Sequence, residues 1–362
     1  MMPIPSAFSR SYQHARAKFL AAAAAIGLAA QSHIHPLRGL EGEELALDAV
    51  LDGTPDSKRL LIISSACHGV EGFCGSGVQV HALHDPQWRA AAHAAGVAVL
   101  YLHALNPWGF SHMRRVTHEG VDLNRNFRDF SQTLPVNTAY AQVHPLLLPD
   151  VWPPNTANRT AVQNFITQHG LPAWQEAISG GQCQFPDGLF YGGQAATWSN
   201  HTVRKVLAQH ASGYQRVAWI DLHTGLGPNG VGERIYAGRD DAQAIARARR
   251  WWGKQVTSIY DGSSSSAPLT GLMWECIHDA APQAEYTGIA MEYGTLPIAE
   301  MLDALRGDHW LALHPDAPDT LAQTIRSRML NAFYTDTDEW KIRIVSQARE
   351  SFFQAIQGLG DS

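Results

Sequence analysis

Four cysteines are few for 362 residues, and Cys67, Cys74, Cys183 and Cys276 fall in no CxxC or other zinc-finger spacing. A chain this long buries core enough without disulfides, so a reduced, cytoplasmic setting is the simpler expectation. Charge of one sign is also lacking. With 27 basic and 33 acidic residues, the net charge of -6 offers no footprint for nucleic acid. The basic residues are scattered, which argues equally against an anionic membrane surface. No apolar run is long enough to span a bilayer. The stretch "RAKFLAAAAAIGLAA" has the basic-then-apolar order of a signal peptide, but its apolar run starts only near Phe19, behind Tyr12, Gln13 and His14. Alanine is the strongest helix former, so the segment predicts an N-terminal helix over 8–32 packed on the domain.

What is present is a series of buried-strand signals. "EELALDAVLDG" alternates like a strand and closes on a turn at Asp52-Gly53. "KRLLIISSA", "GVAVLYLHAL", "YQRVAWIDLHTG" and "YTGIAMEYGT" carry continuous apolar runs that leave no exposed face, and "GERIYAG" reads as a further strand. Helical stretches fall between them, over 76–95, "AQAIARARRWWGKQV" and 320–356. The expectation is an α/β fold: a single domain over 1–362 with a mixed, mostly parallel central sheet and helices on both faces. A proline-rich, helix-containing stretch at about 134–186 reads as an insertion. "DGSSSSAP" (261–268) reads as a flexible loop.

In such sheets ligands bind at the carboxyl ends of the strands, and chemically capable residues stand at several of those ends. His68 and Glu71 follow one strand in "SSACHGVEGFCGSG", His223 ends another in "WIDLHTG", and Glu292 lies in "IAMEYGT". A catalytic zinc takes three N or O ligands and keeps one position open, which His68, Glu71 and His223 could supply. Each alone is more often a loop polar residue or a structural histidine. Glu292, among apolar neighbours, could activate water or sit in a buried ion pair. "GVDLNRNF" presents Asn124 beside Arg125, with Arg115 upstream. An arginine fork matches a carboxylate, so Arg125 with Asn124 could dock one and Arg115 could face an oxyanion; a surface arginine is the plainer reading of each.

The order HxxE, NPxGF (Asn106 to Phe110), Arg115, GVDLNRNF, DLHTG and a strand bearing Glu292 resembles the zinc carboxypeptidase family typified by carboxypeptidase A. It looks closest to an uncharacterised bacterial branch beside succinylglutamate desuccinylase and aspartoacylase. The resemblance covers about residues 55 to 300. It implies that family's phosphorylase/hydrolase-like fold, one Zn2+ ion held by His68, Glu71 and His223, and Glu292 as general base with Arg115 polarising the scissile carbonyl. Asn124 and Arg125 match the pair that holds a substrate carboxylate. The implied partner is a small molecule or short peptide with a free carboxylate, cleaved at an amide or peptide bond.

Departures from the pattern touch substrate identity. The capping tyrosine has no secure match; Tyr260 is the candidate, with Tyr236 and Tyr286 as rivals. Ser199-Asn200 stands where relatives carry Ser-Glu, and Cys67 replaces a glycine before the first ligand. Carboxypeptidase and N-acyl-amino-acid deacylase chemistry both fit these residues. Two other readings compete: a thiol hydrolase using Cys74, at a helix start that would lower its pKa, and a non-catalytic carboxylate-binding protein on the same scaffold.

Overall fold

The apolar runs become the middle of one sheet. A computed structural model describes residues 2–54 and 56–361. Its strands are β1 (Ala30–Arg38), β2 (Glu44–Asp52), β3 (Arg59–Ser65), β4 (Val97–His103), β5 (Arg216–Gly225), β6 (Gly232–Tyr236) and β7 (Glu285–Gly294). They lie in the order β1-β2-β4-β3-β5-β7-β6. The β4-β3-β5-β7 centre is parallel; β1, β2 and β6 add antiparallel flanks. The expected mixed, mostly parallel α/β sheet is therefore present.

Period-two alternation divides the core. Leu61, Ile63 and Ile220 face one cluster, whereas Leu60, Ile62 and Trp219 face another. Helices Tyr12–Ala25, Gly72–Leu83 and Asp338–Gly360 cover the first face, and Trp198–His210 covers the second. A third cluster lies among helices Thr138–Leu147, Leu171–Ser179, Ile298–Leu313 and Asp319–Phe333. Two of these come from the 134–186 stretch, which also contains helix Thr156–His169.

Three local expectations change. The N-terminal helix is Tyr12–Ala25, not 8–32: Gly27 adopts φ 77, which ends the helix, and the chain then enters β1. The helix expected over 76–95 is two, Gly72–Leu83 and Pro86–Ala94, because Asp85 caps a new start and Pro86 cannot continue the old one. The tail divides likewise into Asp319–Phe333 and Asp338–Gly360. No helix among the described residues is long and apolar enough to cross a membrane.

Candidate metal centre and active site

The site grows from the exits of β3, β5 and β7. After β3 the backbone turns through Ala66 at φ 59, and His68 opens a single 3-10 turn that carries Glu71. Glycine is required at position 69, where a Cβ would fall on the Gly109 carbonyl carbon and the Phe110 nitrogen. That close approach lets Gly69 and Val70 donate to the carbonyls of Arg115 and Arg114, at 3.1 and 2.9 Å. The HxxE turn is thereby fixed against the segment that supplies Arg115. His223 and Glu292 are register partners on the adjacent parallel strands β5 and β7.

His68 Nδ1 lies 2.8 Å from Glu71 Oε1, and His223 Nδ1 lies 3.0 Å from Glu71 Oε2. All three residues are buried, with ligand-capable atoms within 4.8 Å of one another. The outward nitrogens have carboxylate partners: His68 Nε2 is 3.3 Å from Asp122, and His223 Nε2 is 2.5 Å from Asp221. Asp221 also accepts from Ser64 Oγ at 2.6 Å, and Ser64 in turn accepts from Trp219 Nε1 at 2.7 Å. Two imidazoles turning one nitrogen inward and backing the other with a carboxylate is the arrangement that orients metal-ligating histidines. The donor set fits a divalent zinc ion.

The charges are strongly coupled. Burial alone would raise the Glu71 carboxyl, but His68 and His223 hold it well below the usual range. Burial opposes a charged His223, yet Asp221 and Glu71 raise it well above an ordinary imidazole. Glu292 moves opposite to Glu71: burial, then repulsion from Glu71, lifts it to about 7. It opens partly onto the cavity while Leu226 N–H donates to its Oε1 at 3.0 Å.

Arg115 donates to Asp122 through Nε at 2.9 Å, and its Nη2 lies 2.7 Å from His68 Nε2. Arg125 is buried; burial, reinforced by the Arg115 charge and opposed by Asp122, lowers it to about 10. It gives one N–H to the Asn124 carbonyl and two to that of Ser179, so two of its five donors remain. Asn124 accepts from Met273 N–H through Oδ1 at 2.9 Å.

His68, Glu71, Arg115, Asn124, Arg125, His223 and Glu292 line one cavity of about 370 Å³. Tyr260 does not. Its hydroxyl donates to the Gly238 carbonyl at 2.8 Å, and neither rival tyrosine lines the cavity. Ser199 and Asn200 also lie away from it, with Asn200 bracing Asn126. The aromatic group beside the arginines is Phe190, whose ring centre is 5.0 Å from Arg115 and 5.7 Å from Arg125. Its backbone adopts φ 52, a conformation such a residue rarely takes. Cys74 is a core residue, its thiol raised well above normal by burial and by Glu71 and Glu292. That reverses the lowered pKa a thiol hydrolase needs.

Three further residues escaped the reading of the sequence. Asp221 had a usable signal, since residues two apart on a strand share a face and it stands two before His223. Asp122 lies inside GVDLNRNF. Phe190 had none, because only tertiary contact brings it to the arginines.

Residues 8–347 match the family model described as "Protein of unknown function (DUF2817)". The chain belongs to that family. No curated protein matches it. Solved structures similar to this DUF2817 member include carboxypeptidase A from Helicoverpa armigera, 13% identical over 89% of this chain and 74% of that one, with a TM-score of 0.43. Bovine thrombin-activatable fibrinolysis inhibitor, in complex with tick carboxypeptidase inhibitor, is 11% identical over 97% of each chain, at 0.47. A metallo-carboxypeptidase from Burkholderia cenocepacia is 13% identical over 94% of this chain and 68% of that one, at 0.41.

Proposed function

We propose that this protein is a zinc-dependent hydrolase of an amide or peptide bond in a small substrate with a free carboxylate. The observation that carries this reading is the convergence of His68 Nδ1 and His223 Nδ1 on Glu71, each outward nitrogen facing a carboxylate, with Glu292 lining the same cavity. His68, Glu71 and His223 would hold the ion, which when bound polarises a carbonyl and lowers the pKa of water. Glu292, raised to about 7, takes a proton from the attacking water and passes it to the leaving amine. Arg115 steadies negative charge developing on the carbonyl oxygen. The two remaining Arg125 donors and Asn124 hold the substrate carboxylate. We infer a cytoplasmic setting because all four cysteines are free thiols.

The test joins metal content to turnover. Protein purified without chelator should carry about one zinc and cleave blocked dipeptides or N-acyl amino acids. Chelation should abolish cleavage and zinc should restore it, whereas thiol alkylation should not act. Glu292→Gln should retain zinc while kcat falls by roughly 10²–10⁴-fold, the range for a positioned acid–base group. Zinc content near zero would favour a binding protein on this scaffold. Near-normal turnover in the variant would refute the base assignment.

A further inference from the structure

Most of the apolar lining of the cavity belongs to two packing clusters that share no residue. One wall, Ile235, Ile259, Leu269, Trp274 and Ala290, comes from the cluster on one face of the sheet. The other, Val162, Ile166, Trp174, Leu302 and Phe333, comes from the helical cluster. The candidate catalytic groups lie where the walls meet. Ala290 stands two residues before Glu292 on β7. On the other side, Thr224, next to His223, donates through its hydroxyl to the Phe333 carbonyl at 2.6 Å. A molecule with its scissile bond at the site therefore meets apolar surface in two directions.

The helical wall also discriminates between kinds of substrate. A peptide running along it would bring N–H and C=O groups that need partners, and the buried polar side chain of that wall, Arg306, is already engaged. Arg306 bonds the Leu146 and Leu147 carbonyls, Asp303 and Asn158, at 2.8 to 3.0 Å. Arg159, Gln163 and Gln175 make one bond each, to the Pro154 carbonyl, the Thr167 hydroxyl and the Ser265 carbonyl at 3.0, 3.4 and 3.3 Å, and their remaining polar atoms belong to side chains that are exposed or half-buried. Each backbone group left unpaired would cost roughly tenfold in affinity, whereas an alkyl chain leaves none unpaired.

We propose that the substrate is an N-acylated apolar amino acid whose aliphatic acyl chain lies along Val162, Ile166, Trp174, Leu302 and Phe333, with the amino-acid side chain on the other wall. This rests on the amide-hydrolase reading above. Water adds across the amide C–N bond, giving an aliphatic carboxylic acid and a free amino acid. The proton Glu292 takes from the water leaves with the amine.

The test separates binding from turnover by titrating zinc-loaded Glu292→Gln protein with N-acetyl-, N-hexanoyl- and N-decanoyl-leucine in a calorimeter. Affinity should rise about three- to fourfold per added methylene over the shorter chains, as burial of a methylene requires. Ile166→Asp, on a half-buried helix face, should lower the affinity for the decanoyl compound at least tenfold. Ile166→Leu should restore it, and exposed Ile342→Asp should leave the series unchanged. Equal affinity along the series, or N-acetyl-Ala-Ala-Leu binding as tightly as the decanoyl compound, overturns the proposal. A rising series with no hydrolysis by the zinc-loaded parent sinks the hydrolase reading alone. A flat series with cleavage of blocked dipeptides sinks only the acyl-chain assignment.

Discussion

Helix Gly72–Leu83, which follows Glu71, buries every one of its residues; helix Thr156–His169, which lines the cavity opposite the sheet, buries none. Both border one site and their tolerances differ. The first is wedged between β3 and the C-terminal helix, so the HxxE turn inherits a close-packed and rigid support. The second contributes Val162 and Ile166 from a half-buried face to a wall that can adjust. Rigid support suits the proposed metal ligands, which would have to be held in fixed geometry. An adjustable wall suits apolar groups of varied length.

Substitutions at the two supports should break or sharpen this contrast. The largest effect is expected at Gly69→Ala, where the new Cβ meets backbone that cannot move aside. A loss of about 3 kcal/mol or more in denaturant unfolding is expected, and parent-like stability would show that the floor yields. Asp221→Asn should preserve the fold yet weaken zinc binding by roughly 10–100-fold in a competition titration, since it orients His223.

A third test uses pH on chelated protein. Glu292 rises from 4.5 to about 7 on folding, so between those values the folded chain keeps a proton that the unfolded chain releases. Stability therefore falls as pH increases through that window. Glu292→Gln removes the loss, and the chelated variant should exceed its parent by on the order of 2 kcal/mol at pH 8. At pH 4 the difference should vanish in thermal or denaturant unfolding; a constant gain at both pH values would contradict the shift. The smallest effect is expected at Val162→Ala on the adjustable wall, below about 1 kcal/mol in stability. A loss as large as that at Gly69 would erase the contrast.

Legibility followed the same division. Strands β3, β4, β5 and β7 were readable because strands covered on both faces must be apolar throughout, as "RLLIISS" and "VAVLYLH" are. Edge strand β1, "AQSHIHPLR", is mostly exposed, so no hydrophobic pattern marked it, and the alanine run before it extended the expected helix too far. Helix Ile298–Leu313 was likewise not anticipated. At the site, His68, Glu71, His223 and Glu292 could be picked out because strand ends converge in this topology. Tyr260 could not be placed, because the path of the loop before it depends on contacts such as its bond to Gly238.

The sequence by itself determined which strands form and which side chains stand at their exits, because both follow from local periodicity and from the parallel arrangement that buried strands require. Only the tertiary structure decided the partners of those side chains. The carboxylates behind each histidine, Phe190 beside the arginines and the second apolar wall join segments far apart in the chain. Such contacts are fixed by packing and charge compensation in three dimensions, which local sequence pattern does not encode.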